Sequence, residues 1–194
     1  MRILRASDYK VMPWKNGGGE TTEIAVSPDG AGLADFDWRV SMAKVAGDGP
    51  FSAFPGIDRT LAILEGAGIV LSVEGTEPSQ LTLGSAPHAF PADAPTSATL
   101  VDGTVLDFNV MSRREKIEHA VERSDAAKDS PAGSTRLILC SRGILDITID
   151  GKTERLTRRD SALVEETEAA LLSPGSDSQY YLVEFRPARR QIST

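Results

Sequence analysis

The chain has 194 residues, of which 40% are apolar and 25% charged, and its formal net charge is −7 at pH 7. That length suits one large domain or two small ones, and the acidic balance argues against nucleic acid or an anionic membrane as partner. One cysteine, Cys140, excludes an internal disulfide, and two histidines, His88 and His119, supply no His-x-His pair for a metal. The first residues carry no signal-peptide core and no window approaches a transmembrane span, so the expected location is the cytoplasm.

In chain order, the first distinctive stretch is Trp14-Lys15-Asn16-Gly17-Gly18-Gly19-Glu20-Thr21-Thr22-Glu23-Ile24. Three consecutive glycines are favoured where the backbone takes positive φ or comes close to something else. Two roles fit, a tight turn before a strand or a cradle of backbone N–H groups for an anion. No Gly-Lys-Ser/Thr follows at the spacing of a phosphate loop. Trp38–Val45 then alternates as a strand, with Trp38, Val40 and Met42 on one face and Arg39 and Ser41 on the other. Leu61–Leu64 and Ile69–Val73, separated by Gly66 and Gly68, read as a hairpin. Leu81–Leu83 and a loop with Pro87, Pro91 and Pro95 lead to Leu106–Met111, which alternates again.

Residues 112–135 are rich in charge and read as a connector holding a short helical turn or an edge strand. The second half then repeats the first. Gly68 aligns with Gly143, and the same shift of 75 lays Leu106, Phe108 and Val110 on Tyr181, Val183 and Phe185. Many short strands with Gly and Pro turns indicate a sandwich or barrel, and the duplication indicates two. Cupin-type jelly-roll barrels are one architecture that accommodates this, and the expected fold is all-β, a bicupin of two such barrels packed together. Its expected parts are 1–111 as the N-terminal barrel, 112–135 as connector and 136–194 as the C-terminal barrel.

Polar residues with chemical potential concentrate in the first half. Arg39 and Arg59 offer planar forks for a carboxylate, and Lys15 a point charge. Asn16, Ser41, Asp107 and Asn109 offer hydrogen bonds, and Gly17 and Gly18 backbone N–H groups. Each also has a structural reading: a turn for the glycines, a solvated outer face for Arg39 and Ser41, a local Asp58–Arg59 ion pair, and loop contacts for Asp107 and Asn109. At the shift of 75, Asp107 becomes Leu182 and Asn109 becomes Glu184. One binding module and one supporting module would give this asymmetry.

At these residues the chain resembles the HutD/Ves family. The resemblance is carried by Trp14–Gly19, Trp38-Arg39-Val40-Ser41, Gly49-Pro50-Phe51-Ser52, Phe54-Pro55-Gly56, Asp58-Arg59, Leu64-Glu65-Gly66 and Asp107-Phe108-Asn109-Val110-Met111 with Arg113-Arg114. It implies a bicupin without metal or other cofactor, and an association with bacterial histidine utilisation by moderating the pathway rather than catalysing a step. The implied ligand is a small carboxylate metabolite such as formylglutamate or a formiminoglutamate-like acid. The expected ligand-binding set is Lys15, Asn16, Gly17, Gly18, Arg39, Ser41, Arg59, Asp107 and Asn109, with no catalytic residue. Ves-like members imply a stress response instead. The alternative is a metal-independent isomerase or lyase using Asp107 or Glu65 as acid or base. A homodimer or a regulatory protein completes the partner classes; no nucleic acid or membrane is expected.

Overall fold

β-Branched and aromatic residues alternate with polar ones along most of the chain, the period that half-buried strands require. The computed structural model describes residues 1–15 and 17–189. Among these the strands are β1 (Arg2–Leu4), β2 (Lys10–Pro13), β3 (Gly19–Ser27), β4 (Trp38–Val45), β5 (Gly49–Pro50), β6 (Ile57–Glu65), β7 (Ile69–Val73), β8 (Ser79–Leu81), β9 (His88–Pro91), β10 (Thr96–Leu100), β11 (Val105–Arg113), β12 (Ile117–Ser124), β13 (Lys128–Ser130), β14 (Thr135–Arg142), β15 (Ile144–Ile149), β16 (Lys152–Thr157), β17 (Ser161–Val164), β18 (Ala170–Pro174) and β19 (Gln179–Pro187). One 3-10 turn, Ala6–Asp8, is the sole helical element among the described residues.

The chain divides into two units. The first is Val11–His119 with 186–189, and the second is Met1–Lys10 with Ala120–Phe185. The first unit is built on a six-stranded sheet ordered β2-β3-β4-β11-β6-β9 and a four-stranded sheet ordered β5-β10-β7-β8. Leu61, Ile63, Phe90 and Val105 of the larger sheet pack on Ile69, Leu71, Val73, Leu81 and Ala98 of the smaller one. Burial of this kind contributes about 25 cal/mol per Å² of apolar surface. The second unit repeats the plan. Its sheets run β1-β17-β14-β19-β12 and β13-β18-β15-β16, and Ile138, Cys140, Tyr180 and Leu182 meet Leu145, Ile147, Leu156 and Leu172 between them.

The duplication extends to strand order. β4-β11-β6-β9 corresponds to β12-β19-β14-β17, and β5-β10-β7-β8 to β13-β18-β15-β16. Register follows too: Asp107 lies opposite Ile63, and Leu182 opposite Ile138, each residue displaced by 75.

Three readings change. β6 and β7 do not form a hairpin, because they lie in different sheets, as do β14 and β15. Gly66 (φ +93) and Gly68 (φ +112) turn the chain from one sheet to the other. A Cβ would meet the Thr104 carbonyl at 2.6 Å from Gly66 and the Leu81 carbonyl at 2.2 Å from Gly68. A true two-residue hairpin joins β15 to β16 through Asp150 (φ 50) and Gly151 (φ 73), the Asp-Gly pairing that a type I′ turn favours. The connector, 112–135, read as holding a short helical turn or an edge strand, does hold an edge strand, β12, and beyond that reading a second strand, β13. The contact division also differs from the expected 1–111 and 136–194. β1 pairs antiparallel with β17, Arg2 opposite Leu163, so the first ten residues belong with the second half.

Candidate functional site

Residues opposite one another on neighbouring strands share a face. On β11, Asp107 lies opposite Ala43 of β4 and Ile63 of β6. Asn109 lies opposite Ser41 and Leu61, and Met111 opposite Arg39 and Arg59. Across β3, Glu23 lies opposite Ser41, and across β9, Phe90 lies opposite Arg59 and His88 opposite Leu61. Ile63, Leu61, Phe90 and Val105 on this face form the core against the smaller sheet. Arg39, Ser41, Arg59, Asp107 and Asn109 therefore point to the inside of the first unit, and all five are buried, Asp107 to 1% exposure. Arg39 and Arg59 stand two strands apart on either side of Met111, about 10 Å between backbones.

Buried polar groups need partners, and these have found one another. Asn109 Oδ1 accepts from Arg59 Nε at 2.8 Å and from Arg59 Nη2. Asn109 Nδ2 donates in turn to Asp107 Oδ1. Arg39 Nε donates to Glu23 Oε2 at 2.8 Å. The Arg59 guanidinium lies over Phe51, 4.4 Å from the ring centroid, with Phe90 at 5.8 Å, a cation–π arrangement. Burial pushes Asp107 up to about 6, against the opposing pull of Arg59 and the hydrogen bonds from Asn109 and the Ala43 backbone. Burial likewise lowers Arg59 to about 10, with Asp107 opposing and Arg39 adding to the fall. Both Nη atoms of Arg39, and Nη1 of Arg59, make no hydrogen bond among the described residues. Three guanidinium donors on one buried face can meet the oxygens of a planar anion.

The glycine run lies elsewhere. Asn16 falls outside the described residues. Lys15 is exposed in the turn, the Gly17 N–H donates to the Trp14 carbonyl at 3.0 Å, and the Trp14 N–H donates to the Gly19 carbonyl at 2.9 Å. Ala46 N–H donates to the Gly18 carbonyl. Gly19 lies opposite Val45, six residues along β4 from Arg39, or about 20 Å at strand rise. A Cβ at Gly19 would meet the Lys44 carbonyl at 2.2 Å and the Trp14 ring at 3.0 Å. The run is a turn whose last glycine admits the Trp14 ring, and that ring is fixed by Nε1 donating to Thr21 Oγ1 at 2.8 Å. Strand register thus separates Lys15, Gly17 and Gly18 from the two arginines.

Other expectations shift as well. Asp58 and Arg59 do not pair, because adjacent strand residues face opposite ways; Asp58 accepts from Arg114 at 2.8 Å. Glu65 lies opposite Leu106 beyond a bulge, not on the face of Asp107. Cys140, by contrast, is fully buried as its apolar strand implies, and its thiol is pushed up to about 11 by that burial. His119, with no partner evident in the sequence, sits between Thr60 Oγ1 (2.8 Å from Nε2) and Ser112 Oγ (2.6 Å from Nδ1). Glu23 and Phe51 join the cluster and were absent from the expected site set. The signal for Glu23 was the alternation of Thr21, Glu23 and Ala25, which the bulge between Glu23 and Ala25 interrupts.

The corresponding interior of the second unit is filled differently. Arg136 is fully buried on β14. Its Nη1 donates to the carbonyls of Ser130 (2.7 Å) and Pro131 (2.6 Å) and to Ser130 Oγ (2.9 Å), and its Nη2 to the carbonyls of Glu165 (3.1 Å) and Glu168. Both terminal nitrogens are occupied by backbone.

Two facing antiparallel sheets with this strand order define a cupin-like all-β protein. A cupin barrel protein from Leptotrichia buccalis superposes with a TM-score of 0.58 at 12% identity over 94% of this chain and all of that one, a likeness of fold. The HutD family model matches residues 6–181, and the chain belongs to the HutD family. A 21.2 kDa protein from the hutC 3′ region of Pseudomonas putida is 33% identical over 88% of this chain and 90% of its own length. Protein Ves of Citrobacter koseri is 40% identical over 61% of this chain and 62% of its own. The structure of HutD from Pseudomonas fluorescens SBW25 superposes with a TM-score of 0.82 at 30% identity, covering 97% of this chain and 99% of that one.

Proposed function

We propose that this chain is a non-catalytic binding protein for a small carboxylate metabolite of histidine utilisation, and that occupancy of the first unit tunes that pathway. The observation that carries the reading is the set of three guanidinium nitrogens, Nη1 and Nη2 of Arg39 and Nη1 of Arg59, on an inward polar face, which make no hydrogen bond among the described residues. Kinship with a protein from the hutC 3′ region supports the pathway. Ser41 and Asn109 lie one row further along the same face, beside the arginines, and suit an amide or hydroxyl of the same ligand. Lys15, Gly17 and Gly18 have no part in this version of the site.

Isothermal titration with N-formyl-L-glutamate, formiminoglutamate and urocanate tests it. At least one binds, and Arg59→Lys, which keeps the charge and loses the fork, weakens that binding tenfold or more, about 1.4 kcal/mol. No heat and no thermal shift with any of the three at millimolar ligand would overturn the ligand class.

A metal-independent enzyme is the second reading, favoured by one observation: Asp107 is buried and held near 6, the range of a working general acid or base. Conversion of a bound acid followed by NMR, lost in an Asp107→Asn variant that still binds, would establish it.

A further inference from the structure

The arginine cluster is electrically balanced before any ligand arrives. Its cations are Arg39 and Arg59, and its carboxylates are Glu23 and Asp107. A site built for an anion alone would hold surplus positive charge. A carboxylate entering this one would leave a net negative charge in a desolvated interior, where an unbalanced charge is expensive.

We propose that a carboxylate enters the Arg39–Arg59 cluster together with one proton, which Asp107 takes up. This rests on the carboxylate-binding reading above. The choice of Asp107 over Glu23 follows from position. The Glu23 side chain is 21% exposed and keeps contact with water, whereas Asp107 is 1% exposed. Asp107 is also coupled to the arginine the ligand would engage, since Asn109 accepts from Arg59 and donates to Asp107 through one amide. An anion drawing on the Arg59 charge removes the main support for ionised Asp107 and adds repulsion, and both effects favour the carboxyl form. That form gains an O–H donor which can turn to the ligand.

The surroundings offer few competitors for the proton. Charged or titratable residues on this face are Glu23 on β3, Arg39 on β4, Arg59 on β6, His88 on β9 and, at the far end of β11, Arg113, which donates to the Phe36 and Ala34 carbonyls. The opposing strands β5, β7, β8 and β10 contain no ionisable residue. Asp107 already stands near 6 without ligand, so a modest further rise carries it across neutrality.

The experiment is titration calorimetry of the whole chain with N-formyl-L-glutamate, and with urocanate if the first gives no heat, in buffers of different ionisation enthalpy at pH 7. The expected slope of observed heat against buffer ionisation enthalpy corresponds to uptake of about 0.5–1 proton per ligand, and affinity falls severalfold per pH unit from 7 to 8. Asp107→Asn removes the slope, while His88→Gln retains it. Should Asp107→Asn not fold, the buffer series on the unmodified chain decides alone. Binding with zero slope overturns the proposal and leaves the carboxylate reading intact. A slope lost in His88→Gln also overturns it. No binding of either acid, nor of formiminoglutamate, overturns both.

Discussion

The two units share strand order and register but put arginine to opposite uses. In the second, Arg136 is closed off: four carbonyls and a hydroxyl occupy its terminal nitrogens. In the first, Arg39 and Arg59 are held by single side-chain partners and keep donors in reserve. A guanidinium whose two terminal nitrogens are taken up mainly by backbone carbonyls, with only Nε left over, is a structural tie. One held by a single side-chain acceptor, Nε alone for Arg39 and Nε with Nη2 for Arg59, keeps outer nitrogens over and is, on the reading proposed above, a receptor. The contrast shows that burial of a charge does not by itself distinguish support from recognition. The identity of the acceptors does.

The largest effect should come from breaking the tie. Arg136→Leu leaves the carbonyls of Ser130, Pro131, Glu165 and Glu168 without that donor, and is expected to destabilise the fold by about 3–5 kcal/mol in urea titration. A loss below about 1 kcal/mol would mean that water replaces the guanidinium and that the two units differ less than their hydrogen bonds indicate.

A smaller effect sharpens the charge balance of the first unit. Asp107 lies above its ordinary 3.8, at about 6, so folding favours its protonated form. That contribution is full below about pH 4 and is lost as pH rises through 6. Asp107→Asn removes this loss, so from pH 4 to 7 the variant gains on the parent by on the order of 2–3 kcal/mol. His119 acts with the reverse sign. Burial pushes it from 6.5 down to about 4, with Asp58 opposing, so its contribution is full above pH 6.5 and is lost as pH falls through 4. The two windows overlap and offset each other in the parent. Unfolding curves from pH 4 to 8 for Asp107→Asn and His119→Gln should diverge in opposite directions; parallel curves would sink both assignments.

The smallest effects separate turn from cradle. Gly19→Ala forces a Cβ into the Lys44 carbonyl and should cost about 1–3 kcal/mol. Gly17 has φ +72 and open space around it, so Gly17→Ala should cost about 1 kcal/mol through backbone strain alone. Neither should change ligand affinity, measured in the same calorimeter. A Gly17→Ala variant that folds and loses binding would return the glycine run to the site.

Much of this was legible in the sequence because strand alternation fixes faces. Arg39 and Ser41 are an i, i+2 pair, as are Asp107 and Asn109, so each pair had to share one side of its strand. That β4 and β11 are neighbours follows from long-range pairing, which no local pattern encodes. The shift of 75 exposed the duplication because both copies keep their apolar residues in step. It did not reveal that Leu61 and Ile69 sit in facing sheets, since a Gly-rich corner and a Gly-rich hairpin have the same composition. Glu23 escaped notice because its role depends on the bulge after it, and His119 because both of its hydroxyl partners come from other strands.

The pairing of β1 with β17 has a consequence for how the protein is made. Residues 2–4 leave the ribosome well before their partner, since the strand they join, Ser161–Val164, is synthesised about 160 residues later. At 5–20 residues per second that interval is roughly 10–30 s, during which the opening strand has no native neighbour. The first unit holds a contiguous run from Val11 to His119 and can fold in the meantime. The second must wait for Ser161–Val164 to reach β1, so its completion is a late event of biosynthesis, and a ribosome stalled before Val164 would carry the Val11–His119 run with β1 still unpaired.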